Sequence, residues 1–316
     1  MERSEYVVVV GSSNTDMVVQ SDRIPRPGET VTGGTFLVAQ GGKGANQAVA
    51  AARLGIPVLF VAKVGNDMFG DEAVEHYQQE SINTDWIFRS PSAATGVALI
   101  LVDKNGENLI SVASGANYEL TPADVRRAEQ DIAGASLLII QLEVPLETVQ
   151  EAAKIAYDAG VPVLLDPAPA PDVPLPDELL KRITYLKPNE HEAKQLTGVT
   201  VSDVASAKQA AQWLLAKGVK NVIVTLGAAG AFWLSAEGEG FVPSYPVEAK
   251  DSTAAGDAFS GAFGAAIAHG VAVSDALRFA SRAASVSVTR SGAQPSLPSL
   301  KELGAYQDIA SLMCDF

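Results

Sequence analysis

LLIIQLEVPLETVQEAAKIAYDAGVPVLL, residues 137–165, is the stretch on which the fold turns. Leu137-Leu138-Ile139-Ile140 is a short, unbroken apolar run, as expected of a strand buried on both faces. A helix-like stretch follows over residues 147–159, and Gly160 stands where a helix C-terminal cap belongs. Residues 161–165 return to a buried strand. Strand, helix, strand is the repeating unit of a parallel sheet, because parallel neighbours need a crossover between them.

The unit recurs on either side. Residues 7–10, 58–61 and 222–225 read as further buried strands, and residues 45–54 and 205–217 as helices, the latter followed by Gly218. The alternation predicts an α/β fold: a mostly parallel central sheet flanked by helices in three layers. Two segments break the rhythm. Residues 97–102 and 109–112 flank Asp103-Lys104-Asn105-Gly106-Glu107, a hairpin around an Asn-Gly turn, and residues 15–20 and 30–38 read as short strands with no helix between them. Together they predict a small antiparallel β lid, formed by about 15–39 and 95–114 and inserted in a single domain spanning 1–316. A patch without covering helices must close over a site, pair with a second subunit, or both. Its apolar residues Val97, Leu99, Leu101, Ile110 and Val112 favour a homodimer joined through the lids. Pro167, Pro169, Pro171, Pro174 and Pro176 crowd one connector, which they stiffen.

Composition removes several classes of function. The 316 residues carry 23 Lys+Arg against 37 Asp+Glu, a formal net charge of −14. That balance argues against nucleic acid or an anionic membrane as partner, since both need clustered cations. Cys314 is the sole cysteine, so an intrachain disulfide and a cysteine-based zinc cage are excluded. His76, His191 and His269 share no metal-ligand spacing. Four valines near the N-terminus are too few for a signal-peptide core, and no run approaches the ~18 apolar residues of a membrane span. The expectation is a cytoplasmic protein.

The richest stretch for chemistry is residues 251–263, where small residues precede a helix expected over 258–269. Small side chains at a helix start let backbone N–H groups approach an anion, and the helix dipole adds favourable potential. Asp257 falls in the first turn, where the dipole favours its ionised form, and such a carboxylate suits proton abstraction during phosphoryl transfer. Equally open is a small-residue helix packed on the sheet with Asp257 as its cap. Gly41-Gly42-Lys43-Gly44-Ala45-Asn46-Gln47-Ala48 lacks the spacing of a Walker A loop, but Lys43 and Asn46 project from the first turn of a helix, able to bind a polyol. Asn14 and Asp16 follow the first strand, and Glu143 follows the strand near 137–142. Ligands of open α/β sheets bind beyond the carboxyl ends of strands. Polar groups there with few cations suit a neutral, hydroxyl-rich ligand.

Taken in chain order, residues 11–16, 41–46, 187–192, 225–230, 251–257 and 289–296 resemble the ribokinase family of sugar and nucleoside kinases, over essentially the whole chain. The resemblance implies a ribokinase-like fold and ATP-dependent phosphorylation of D-ribose at O5. The alternative is the same chemistry on deoxyribose, a ketohexose or a nucleoside. By the same resemblance Asp257 is the base and the 254–257 backbone (Ala254, Ala255, Gly256 and Asp257) the anion hole. Asn14, Asp16, Gly42, Lys43, Asn46 and Glu143 hold the sugar. Asn189 and Glu192 serve nucleotide phosphates and hydrated Mg²⁺. Thr225, Gly227 and Gly230 form the nucleotide turn, Gly256 adjoins it, and Ser281 lies at the adenine pocket. Asp251, Thr253, Ser287, Arg290, Gly292 and Ser296 match a site for an activating K⁺. Many members have glycine where this chain has Ala254, so alanine there needs φ below zero or some strain. A non-catalytic sugar sensor on the same fold would lack the base or the hole, and both Asp257 and Gly256 are present. A Rossmann dehydrogenase is contradicted by the missing Gly-x-Gly-x-x-Gly after the first strand.

Overall fold

The computed structural model describes residues 5–171 and 173–304, so Cys314 and the first four residues lie outside the described residues. Thirteen strands are β1 (Val7–Val10), β2 (Asn14–Gln20), β3 (Thr35–Gly41), β4 (Val58–Gly65), β5 (Ile87–Ser90), β6 (Gly96–Val102), β7 (Asn108–Ala113), β8 (Leu137–Ile140), β9 (Val163–Leu165), β10 (Tyr185–Leu186), β11 (Asn221–Thr225), β12 (Gly230–Ser235) and β13 (Glu239–Pro243). Nine of them form one sheet in the order β13-β12-β11-β10-β9-β8-β1-β4-β5. From β11 to β5 every pairing is parallel, and β12 and β13 close the other edge antiparallel.

The four valines of β1 explain the layering. Successive side chains of a strand point to opposite faces, and here Val8 and Val10 enter one hydrophobic core while Val7 and Val9 enter another. Helices Leu146–Asp158 and Val204–Ala216 cover the first face, and Lys43–Arg53, Ala255–Ala268 and Val273–Ser287 cover the second. Among the described residues no helix is long and apolar enough to cross a membrane.

Boundaries moved for local reasons. The strand expected from residue 161 begins at Val163, because Pro162 has no N–H for the ladder, though its carbonyl still accepts from Leu138 N (3.0 Å). The helix expected over 45–54 starts at Lys43, right after Gly42 at φ 88°. Gly160 and Gly218 lie just past their helices at φ 72° and 104°, as their cap positions require.

The second sheet runs β3-β2-β6-β7. Its outer pairings are antiparallel, and the central pair β2 and β6 runs parallel. The strand expected over 30–38 instead spans Thr35–Gly41, because Gly33 at φ 91° turns the chain just before it. β2 and β3 then pair down to Asn14 opposite Gly41, which brings the base of this sheet to the end of β1.

Candidate active site

Helix Ala255–Ala268 begins three residues before the expected 258, with Ala254 as its N-cap at φ 58°, ψ 10°. Alanine in this left-handed region costs ~1–2 kcal/mol, so the strained branch of the expectation for residue 254 is the one realised. The early start puts Asp257 third in the helix. Its side chain does not cap: Oδ2 accepts from Asn46 Nδ2 and Oδ1 from Gln47 Nε2, each at 2.9 Å. A first turn leaves its N–H groups without intrahelical acceptors. That of Ala255 is taken by the Ser252 carbonyl at 3.2 Å, so the amides of Gly256 and Asp257 are the anion-binding part of the expected cradle.

The partners of Asp257 come from the facing helix. Gly42 lies close to the loop after β1, where a methyl would meet Asn14 N at 2.8 Å, so only glycine can start Lys43–Arg53 there. Lys43 N donates to Glu143 Oε2 at 2.9 Å, and Ser12 Oγ donates to the same oxygen at 2.5 Å. Asn14 Oδ1 accepts from Asn117 Nδ2 at 2.7 Å, and Asn117 also brackets Ser13 through its N–H and carbonyl. Asn14, Asp16, Gly42, Lys43, Asn46 and Glu143 thus gather beside Asp257 at the foot of the second sheet. Asn46 Oδ1 is buried with no partner among the described residues, an acceptor suited to a ligand hydroxyl.

Electrostatics favour a responsive carboxylate over a merely ionised one. Burial pushes the Asp257 carboxyl up, the Lys43 ammonium pulls it back, Asp166 raises it again, and the Asn46 and Gln47 hydrogen bonds oppose that rise. The net direction is upward, which corrects the expectation that the dipole would dominate: desolvation is the larger effect. Burial draws the Lys43 ammonium down, yet Asp257, Asp166, Glu143 and Glu192 outweigh it and hold Lys43 above its ordinary value. Asp16 is pushed up to about 7 by burial, with repulsion from Glu143 and Asp257 adding to it.

Asp257 opens onto a cleft of about 630 Å³. Lys43, Ala254, Ala255 and Gly256 form its wall near Asp257, and Asn189, Glu192, Thr225, Gly227, Gly230 and Ser281 extend it. Asn189 and Glu192 have a structural task too, a reciprocal capping box for helix Glu190–Thr197 in which each side chain accepts the other's N–H. Burial and Asp166 push the Glu192 carboxyl up, with Lys187 opposing.

The six residues matched to a K⁺ site stand outside that cleft wall. Asp251 accepts from Thr253 N (2.9 Å) and Gly292 N (2.8 Å), and the Ser287 and Ser296 hydroxyls meet at 2.7 Å. Arg290 turns its guanidinium to Glu302 at 2.6 Å. Three residues beneath the site were given no role from the sequence. Asp166 and Lys187 form a buried ion pair at 3.0 Å, and Gln47 joins Asp166 to Asp257. Asp166 directly follows the strand expected over 161–165 and Lys187 opens the 187–192 segment, but their contact spans twenty-one residues and carries no local signal. Asn117 had none at all.

A buried carboxylate at a helix start, a polar cluster beside it under a small sheet and a cleft onto which the carboxylate opens are the parts of a carbohydrate-phosphorylating site. The model of the pfkB family of carbohydrate kinases matches residues 4–300. The chain belongs to that family. It is 46% identical over 297 residues to a ribokinase from Haemophilus influenzae, covering 94% of this chain and 96% of the relative. It is 39% identical over 300 residues to a deoxyribokinase from Salmonella typhi, covering 95% and 98%. Its fold superposes with a TM-score of 0.89 on the structure of an Arabidopsis thaliana ribokinase complexed with ribose and ATP, at 34% identity over 96% of this chain and 98% of that one.

Proposed function

We propose that this chain transfers the γ-phosphoryl group of ATP to O5 of D-ribose, giving D-ribose 5-phosphate. The observation that carries the reading is Asp257: a buried carboxylate held at both oxygens, next to Gly256 in the first turn of its helix, on the wall of the cleft. The sugar hydroxyl gives its proton to Asp257 as its oxygen bonds to the γ-phosphorus. The bond from that phosphorus to the bridging oxygen breaks, and ADP leaves with the electron pair. Charge gathering on the phosphoryl oxygens faces the Gly256 and Asp257 amides and the Lys43 ammonium. An upward-shifted carboxyl suits this work, because a more basic carboxylate takes a proton with more driving force.

Asn14, Asp16, Gly42, Lys43, Asn46 and Glu143 orient the hydroxyls, and Thr225, Gly227, Gly230 and Ser281 receive the nucleotide. Mg²⁺ arriving with ATP neutralises phosphate charge. The residues fit it: Asn189 and Glu192 lie on the cleft wall, and Asp166 Oδ1 there is a buried acceptor with no partner among the described residues. The K⁺ reading finds support in the oxygen-rich cluster of Asp251, Thr253, Ser287, Gly292 and Ser296, hard donors suited to a hard cation. Arg290 would contribute only its backbone there. The segments of about 15–39 and 95–114 act as a lid on one kinase domain, and a cytoplasmic homodimer forms through one of their exposed faces. Exposed Phe36, Val38 and Leu99, which the registers put on one face of the sheet, favour that pairing; Ile110 and Val112 lie on the opposite face, with Asp16.

The deoxyribokinase relative supports a second reading in which the sugar is deoxyribose. A panel of ribose, deoxyribose, fructose and adenosine, followed by ADP release and ranked by kcat/KM, separates the two. In the same panel Asp257→Asn should lower kcat by about 10²–10⁴-fold, the usual worth of a general base, with sugar affinity within a few-fold of the parent. Undiminished turnover in that variant would remove Asp257 from the chemistry.

A further inference from the structure

Gln47 is fully buried, and every hydrogen-bonding atom of its amide is committed. One nitrogen, Nε2, donates both of its hydrogens to carboxylates: to Asp257 Oδ1 and to Asp166 Oδ2, each at 2.9 Å. The oxygen, Oε1, accepts from Gln141 Nε2 at 2.7 Å, just past the end of β8. The amide has one stable orientation. Turned over, it would set an oxygen against two carboxylate oxygens and a nitrogen against a nitrogen.

Asp166 is itself anchored. Lys187 Nζ lies 3.0 Å from Asp166 Oδ2, Ser260 Oγ donates to the same oxygen at 3.1 Å, and Lys187 Nζ also reaches the Gly256 carbonyl at 3.3 Å. A rigid base of sheet, ion pair and amide therefore stands under the carboxylate that opens on the cleft. We propose that Gln47 is a positioning residue for phosphoryl transfer, an amide spacer that locks Asp257 Oδ1 so that Oδ2, on the Asn46 side, is the oxygen that receives the sugar proton. This rests on the reading of Asp257 as the base.

The spacer has a second consequence. Two carboxylates bonded to one nitrogen are no further apart than twice 2.9 Å. Without a donor between them, carboxylates this close repel, and one of them holds a proton more readily. The amide supplies both hydrogens itself, so Asp257 keeps its lone pairs for the substrate. The charged groups facing Asp257 are Lys43 and Asp16 from the sugar side and Asp166, paired with Lys187, from beneath; Glu143 and Glu192 act on Lys43. Lys43 and the Asn46 and Gln47 hydrogen bonds favour its ionised form, and losing the Gln47 donor would leave burial and Asp166 further ahead.

The test is Gln47→Met, which keeps the volume and removes every hydrogen bond, in steady-state kinetics with ribose and ATP from pH 5.5 to about 9.5. The expected result is a kcat about 10–100-fold down at pH 7, a ribose KM within about threefold, and an acid limb moved to higher pH by about one unit, so that the deficit shrinks at alkaline pH. Gln141→Leu, which keeps Gln47 but frees its oxygen, should move the limb the same way by less, and it decides the matter if Gln47→Met does not fold. A constant loss across the whole pH range with an unmoved limb would overturn the proposal, because a packing defect lowers activity without retuning a base. Asp257→Asn is run beside them. If that variant keeps its turnover the base reading fails first; if it is inactive while the limb stays unmoved in the Gln variants, only the role of Gln47 fails.

Discussion

Replacing Gly261 by alanine tests the whole geometry with one methyl group. Gly261 lies where helix Ala255–Ala268 crosses helix Lys43–Arg53, and a Cβ there would stand 2.5 Å from Ala50 Cβ, 2.8 Å from the Gln47 carbonyl oxygen and 3.0 Å from Ala51 N. Carbon atoms rest about 3.5–4.0 Å apart, so the helices must part by about 1 Å. Nothing in the way can swing aside, since two obstacles are backbone and the third has no rotamer. Overpacking of this kind costs about 1–3 kcal/mol, of which the better helix propensity of alanine returns about 0.5–1 kcal/mol. The net loss is about 1–2 kcal/mol, a modest drop in Tm.

The larger effect falls on turnover. Asn46 and Gln47 ride on one helix and Asp257 on the other, joined by bonds of 2.9 Å. Opening them by about 1 Å breaks the register of the base, and misplacements of that size cost up to about 10²-fold in rate. Gly264→Ala, one turn on in the same helix, is the control. Its Cβ meets Ile139 Cδ1 at 2.6 Å and Leu137 Cδ2 at 3.1 Å, the free ends of side chains that can move. Thermal unfolding and ribose kinetics on both variants give the answer. Gly261→Ala should lose far more kcat per degree of Tm than Gly264→Ala. Equal kcat losses in the two, or a destabilised Gly261→Ala with parental kcat, would refute the view that this helix contact sets the geometry of the base.

Lys187→Met leaves the Asp166 charge buried without its cation and should lower unfolding free energy by about 3–5 kcal/mol in urea; adding Asp166→Asn should restore part of it, and simple additivity would refute the pairing. Asp16 has a carboxyl pushed up to about 7 from 3.8 by burial and its acidic neighbours. The folded state therefore holds a proton that the unfolded chain releases, and stability falls as pH rises from about 4 through about 7. Asp16→Asn without ligand should raise Tm more at pH 8 than at pH 5, and an equal rise at both would contradict the shift. Leu99→Asp, on the exposed face of β6 that shares a side of the sheet with Phe36 and Val38, should yield monomers in sedimentation at micromolar concentration where the parent is a dimer; a parent already monomeric would refute the lid interface.

The central sheet was legible because its signals are local. Four valines at residues 7–10 or the run 137–140 can be little else than buried strands once helices with glycine caps alternate with them. The small sheet was legible in its hairpin, where Asp103 N and the Glu107 carbonyl close the turn at 2.9 Å. Its register was not, because the pairing of β2 with β6 joins residues about eighty apart. The site divides in the same way. Asp257, Lys43 and Asn46 sit in glycine-rich helix starts that announce themselves. Gln47, Asp166, Lys187 and Asn117 are ordinary residues in ordinary elements, and only the packing of one helix start against another turns them into a support.

That division has a physical cause. Binding groups must reach the open end of a sheet, so chain-local features such as glycines, helix starts and strand ends mark them. Support groups act from below, where the central strands converge, and what they need is a partner from elsewhere in the chain. Gln47 takes its partners from residues 141, 166 and 257, and Lys187 from 166 and 256. These contacts tie the margins of the central sheet and two helix starts to one another. The glycine at 261 lets those helix starts approach, the amide at 47 spaces the two carboxylates, and the ammonium at 187 balances one of them. Removing any one leaves the residues of the motif in place but lets the carboxylate turn, which is why rate should suffer ahead of stability at Gly261.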